Sequence, residues 1–109
     1  MQVELLFWAG CPSHPQALAD LRAALAEAGL DPDSVIVTEI VTDTAAREQG
    51  FVGSPTIRLD GVDLEPPGDE PAGLSCRIYR RRDGRVSPTP DPDNLREAIR
   101  AASMAEARS

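Results

Sequence analysis

Asp43-Thr44-Ala45-Ala46-Arg47-Glu48-Gln49-Gly50-Phe51-Val52-Gly53-Ser54-Pro55-Thr56 holds a short helix, its stop, a turn and the start of a strand. Thr42 or Asp43 supplies the cap, Thr44 to Gln49 fills the helix, and Gly50 ends it. Beyond Pro55, the runs Thr56-Ile57-Arg58-Leu59 and Val62-Asp63-Leu64-Glu65 flank Asp60-Gly61, a two-residue turn of the type I′ kind. That register sets Leu59 against Val62 and Ile57 against Leu64 on one face. On the other face it sets Arg58 against Asp63, an opposite-charge pair.

Upstream, Val35 to Val41 is rich in β-branched residues and reads as a strand, reached from the Asp31-Pro32-Asp33 loop. A helix from about Pro12 to Ala28 precedes the loop and ends at Gly29. Its apolar stripe is Leu18, Leu21 and Leu25, with Ala17, Ala24 and Ala28 beside them. Before it, Val3 to Trp8 is nearly all apolar, as a strand covered on both faces would be. This strand–helix–strand unit should close as a right-handed parallel crossover. Cys11 falls where the first strand gives way to the helix. Unpaired N–H groups and the positive helix end there favour the thiolate, the nucleophilic form.

Downstream, residues 66–75 read as an irregular loop. Arg77-Ile78-Tyr79-Arg80 begins a second hairpin that turns near Asp83-Gly84, and its run of Arg80, Arg81, Arg82 and Arg85 reads as a solvated face. The last helix opens with Asp91 as cap and Pro92 at its first position, and presents Leu95, Ala98, Ile99 and Ala102 to a core. Its tail from Met104 is expected to fray.

At 109 residues, with 41% hydrophobic and 27% charged, the chain is one globular domain, 1–109. A net charge of -7 argues against nucleic acid or an anionic membrane as partner. All 11 basic residues are Arg, from which nothing functional follows. No apolar run approaches the ~20 residues that span a bilayer. The N-terminus enters a strand almost at once without a basic, cleavable leader, so the expected compartment is the cytoplasm. Two cysteines there point to catalytic, redox or metal chemistry rather than a structural staple.

The order β-α-β-α-β-β-α, with a thiol after the first strand and a proline before the third, resembles the thioredoxin superfamily. Phe7-Trp8-Ala9-Gly10-Cys11-Pro12-Ser13-His14 is similar to the family's strand end and active-site turn. Residues 43–56 resemble its second helix and cis-proline loop, and are the more specific match. The resemblance covers residues 1 to about 65, leaves 66–90 unexplained, and fits the last helix only in position. It implies a thioredoxin-like α/β fold, a mixed sheet flanked by helices, with an extra loop and hairpin before the last helix. It also implies a cis peptide bond at Pro55 and a substrate groove beside Cys11 formed by the Ser54-Pro55 backbone. His14 stands where the family usually carries a second cysteine, so no local disulfide can close. Leu5 and Leu6 occupy the stretch where members often carry a buried acid.

Cys76 has two readings. It is a small buried hydrophobe at a strand start, or the loop after Glu65 returns it to Cys11 as a resolving thiol. His14 is an exposed helix residue, or one turn from Cys11 it supports the thiolate as acid or base. Trp8 is site wall or core. The expected function is thiol-based redox chemistry without a cofactor, on a protein or small-molecule thiol or disulfide. Cys11 attacks a disulfide, peroxide or electrophile, and Cys76 or an external thiol such as glutathione resolves the product. Two rivals are a soft-metal or organomercurial-handling protein, using Cys11, Cys76 and His14, and a non-catalytic binding module of the same fold.

Overall fold

Strand β1 (Val3–Phe7) has apolar side chains on both faces, and successive side chains of a strand point to opposite layers. Val3 and Leu5 face helix α1 (His14–Glu27) through Ala17, Leu21, Ala24 and Leu25. The same layer holds Leu95 and Ile99, from the last helix (Pro92–Arg108). Leu6 faces the other way, into a cluster with Ile40, Phe51 and Ala46, the last on helix α2 (Asp43–Gln49). In this computed structural model, which describes residues 1–108 but not the side chains at 107 and 108, the last helix is α3.

Strand β2 (Ile36–Glu39) runs parallel to β1, with Val37 opposite Leu5. On the other side of β1 lies the antiparallel β3 (Thr56–Leu59), with Ile57 opposite Leu5, and beyond it β4 (Val62–Asp63). The described residues thus form a mixed α/β fold, a four-stranded sheet in the order β2-β1-β3-β4 with three helices. A separate hairpin pairs β5 (Tyr79–Arg80) with β6 (Val86–Ser87).

The short-range signals are realised atom by atom. The Thr42 hydroxyl accepts from the Ala45 N–H at 3.0 Å, and Gly50 ends α2 at φ 62°. Asp60 and Gly61 both have positive φ, 52° and 82°, as a type I′ turn requires. The Asp91 carboxylate caps α3 by accepting from the Asp93 N–H at 2.8 Å. The segment from Met104 that the sequence marks for fraying is helical through Arg108, and Ser109 lies outside the described residues.

Several expected features differ. Helix α1 starts at His14 rather than Pro12, because residues 8–11 close a turn in which the Cys11 N–H reaches the Trp8 carbonyl at 3.0 Å. Strand β2 is shorter than Val35–Val41. It is an edge strand, paired only with β1, and Ile36 and Val37 are exposed on it. Strand β4 stops at Asp63, whose carboxylate takes the Glu65 N–H at 2.9 Å and bends the chain away. Arg58 does lie opposite Asp63, but their side chains do not pair. Arg58 donates to the Gln49 carbonyl at 2.5 Å, and Asp63 is taken by Arg77 at 2.8 Å. Val62, opposite Leu59, is exposed.

Candidate functional site

The site is organised by the backbone of Ser54. The Ser54–Pro55 peptide bond is cis. The Ser54 N–H donates to the Ser75 carbonyl at 2.8 Å, and its carbonyl accepts from the Arg77 N–H at 2.8 Å. Those two bonds straddle Cys76, which forms a parallel bridge with Ser54. The same carbonyl accepts from the Cys11 thiol at 3.6 Å. Ser54 therefore stands against both cysteines, one on each side of the chain's long excursion through the sheet. The reading of Cys76 as a buried core residue fails, since it is exposed, whereas Cys11 is only 2% exposed.

The two sulfurs differ in acidity as well as access. Burial pushes the Cys11 thiol up, but hydrogen bonds from the Cys76 thiol and from the Ser13 hydroxyl and backbone N–H outweigh it. The net shift is downward. The Ser13 hydroxyl lies 3.3 Å from Cys11 Sγ. Cys76 moves the other way, because its bond to Cys11, then burial, then the neighbouring charge all favour its thiol form. Cys11 precedes the Ser13 cap of α1 by two residues, and Ser13 makes no side-chain cap bond. Its hydroxyl is therefore free to serve the sulfur.

His14, three residues after Cys11, is held by contacts to Phe7 and to the Cys11 backbone. The imidazole stacks on Phe7 at 4.2 Å between ring centres, and Nδ1 lies 3.2 Å from the Cys11 carbonyl. A carbonyl only accepts, so Nδ1 is the donor. Of the two roles the sequence leaves open for Trp8, the structure shows the packing one. Trp8 packs on the Leu6–Phe51 cluster, and its ring covers Gly10 so closely that a Cβ there would fall 2.3 Å from it.

Sequence reasoning missed what holds Cys76 in place. The Arg77 guanidinium, side chain 10% exposed, pairs with the equally buried Asp63 at 2.8 Å. It also donates to the Thr56 hydroxyl at 3.3 Å and to the Glu65 carbonyl, and lies 4.9 Å over the Tyr79 ring. Tyr79 is fully buried and donates to the Pro55 carbonyl at 2.5 Å. Burial pushes the Tyr79 phenol well above its ordinary range and also raises Glu65. The signal was the alternation Arg77-Ile78-Tyr79, but hydrophobicity points it the wrong way, since Ile78 is 72% exposed. Gly53, at φ 150°, lies flush against this segment, where a Cβ would meet the Arg77 nitrogen at 3.1 Å.

The arginine run is solvated as the sequence suggests, with Arg80, Arg82 and Arg85 exposed, and its side chains are engaged at the surface. Arg82 pairs with Glu97 at 2.6 Å, Arg85 with Asp83 at 2.7 Å, and Arg81 donates to Ser87 and Thr89. These bonds fasten the second hairpin to α3 and close its turn. Beside Cys76 opens a groove of about 290 Å³, walled by Val52, Glu65, Pro66, Glu70 and Ile78 as well as Cys76. No helix among the described residues is long and apolar enough to cross a membrane.

No family model, curated protein or solved structure matches this chain.

Proposed function

We propose that the protein is a thioredoxin-like thiol–disulfide redox protein whose working unit is the Cys11/Cys76 pair. The carrying observation is that the two free cysteines meet one residue: the Cys11 thiol donates to the Ser54 carbonyl at 3.6 Å, and Cys76 bridges the same Ser54 backbone. Cys11, with the lowered pKa, is the nucleophile. In reduction of a partner disulfide, one protein thiolate attacks a partner sulfur and expels the first partner thiolate. The second protein thiolate then attacks the protein sulfur of the mixed disulfide and expels the other. The protein loses two electrons to an internal disulfide and the partner gains them as two thiols. The cis Ser54–Pro55 loop would align an extended partner chain beside the sulfurs, with Trp8 as a wall. His14 serves by fixing the Cys11 carbonyl rather than by exchanging a proton with Sγ. A protein or small-molecule disulfide in the cytoplasm is the proposed partner, and no cofactor enters the chemistry.

Diamide oxidation of the reduced protein, followed by non-reducing peptide mapping, tests this. The expected product is one Cys11–Cys76 disulfide. Separate adducts on each thiol without an internal bond would refute the pair mechanism.

The neighbouring thiols also suit a two-coordinate soft metal ion, since thiolates select such ions. Among the described residues no group of three or more His, Cys, Asp or Glu could hold a metal, so such binding would rest on the two sulfurs alone. Titration of reduced protein with Hg(II) or Cu(I) separates this reading from the redox one. One equivalent bound by Cys11 and Cys76, with no disulfide formed by mild oxidants, would favour it.

A further inference from the structure

We propose that the exchange partner bonds to the sulfur of Cys76, from the groove that Cys76 lines, and that this partner is a thiol or disulfide carrying a cationic group. The inference rests on the redox reading above and assigns its outer face and substrate class.

Access decides which sulfur meets the partner. Sulfur exchange needs the attacking sulfur to approach along the axis of the bond it breaks, so the attacked sulfur must be reachable. Cys11 is 2% exposed and lies behind Ser13 and Ser54, whereas Cys76 is exposed and forms part of the groove wall. Leaving-group chemistry points the same way. When an incoming thiolate RS⁻ attacks Cys76 Sγ of the internal disulfide, the S–S bond breaks and Cys11 leaves as a thiolate. Ser13 Oγ, 3.3 Å from that sulfur, receives it as a hydrogen-bond donor. The products are RS–S–Cys76 and the Cys11 thiolate. A second thiol of the same class then attacks the R sulfur, giving RSSR and the Cys76 thiolate, which takes a proton from water. The protein gains two electrons and the partner is oxidised to its disulfide. In reverse, Cys11 attacks Cys76 Sγ of the mixed disulfide. It is the nucleophile of the internal step and never bonds to the partner.

The charge of the groove sets the partner's class. Glu65 and Glu70 line it, and neither forms an ion pair among the described residues. Its one cation, Arg77, is already held by Asp63 and by the Thr56 hydroxyl and Glu65 carbonyl. The net charge of -7 adds a long-range field of the same sign. An acidic cleft beside the reacting sulfur raises the local concentration of cations and repels anionic thiols.

The test uses the wild-type protein. Diamide-oxidised protein is opened with cysteamine, quenched early in acid, blocked with N-ethylmaleimide and peptide-mapped. The expected map carries cysteamine on Cys76 and the maleimide on Cys11. Opening rates for cationic cysteamine and anionic mercaptoacetate are then compared, each divided by its rate on a neutral small disulfide. Cysteamine should be favoured by about tenfold at low ionic strength, with the ratio falling towards one in high salt and in Glu70→Gln. Cysteamine on Cys11, or a normalised ratio at or below one, overturns the assignment and leaves the pair mechanism standing. A protein that forms no internal disulfide overturns both.

Discussion

Ser54 supports the site through its backbone, while its hydroxyl is a cost. Ser54 is fully buried, and its Oγ has no partner among the described residues. A buried hydroxyl without a hydrogen bond forfeits its hydration and gains nothing in exchange. Ser54→Ala should therefore stabilise the reduced protein by about 1 kcal/mol in urea unfolding and leave disulfide formation intact. A loss of stability would mean that the hydroxyl has a partner after all. Ser13 is the opposite case, a side chain whose hydroxyl acts on the sulfur. Cys11 should ionise below the free-thiol value of about 8.5, and Ser13→Ala should move its midpoint upward in thiolate ultraviolet absorbance. Nucleophilicity at Cys11 should appear as pH rises through the lowered midpoint and vanish below it, where the S–H returns to the Ser54 carbonyl. Global stability is a poor readout of this. The lowered Cys11 pKa adds stability above the unfolded value that is lost as pH falls through the folded one, and the raised Cys76 pKa opposes it. The position of Cys11 after β1 was legible in the sequence. For Cys76 the sequence left two readings open, core residue or neighbour of Cys11, because the loop at 66–75 carries no pattern that fixes its path.

At the scale of elements, the hairpin and caps were readable because each is decided within four or five residues. Thr42 with Ala45, Gly50, and Asp60-Gly61 are all of that kind. The segment around Cys76 was not, because Arg77 and Asp63 are tied across the sheet by charge rather than by apolar pattern. Asp63 had an apparent cross-strand partner in Arg58, and only the folded chain reveals the competition that Arg77 wins. Arg77→Ala should destabilise by roughly 3–5 kcal/mol, since it strands a buried carboxylate as well as removing four contacts of the guanidinium. Arg77→Ala with Asp63→Asn should recover part of that loss in the same unfolding assay. If the double substitution is no better than the single one, the ion pair is not what fastens Cys76.

The whole molecule was legible as alternating strand and helix around β1, whose unbroken apolar run requires a layer on each face. The edge position of β2 and the second hairpin's attachment to α3 were not, since both depend on pairings distant in sequence. Cys11 and Cys76 have a topological consequence at this scale. A bond between them closes a covalent ring containing α1, β2, α2, β3 and β4, while β1 lies outside the ring yet is paired between two of its strands. The oxidised chain is thus a closed loop whose sheet takes its central strand from the segment before the ring. A ring of about 65 residues removes unfolded-state freedom equivalent to roughly 4 kcal/mol, so oxidation should raise the thermal midpoint, and an unchanged midpoint would argue against ring closure. Because β1 pairs with a strand of the ring on either side, the stability that ring closure adds to β2 and β3 also reaches the central strand, which itself lies outside the ring.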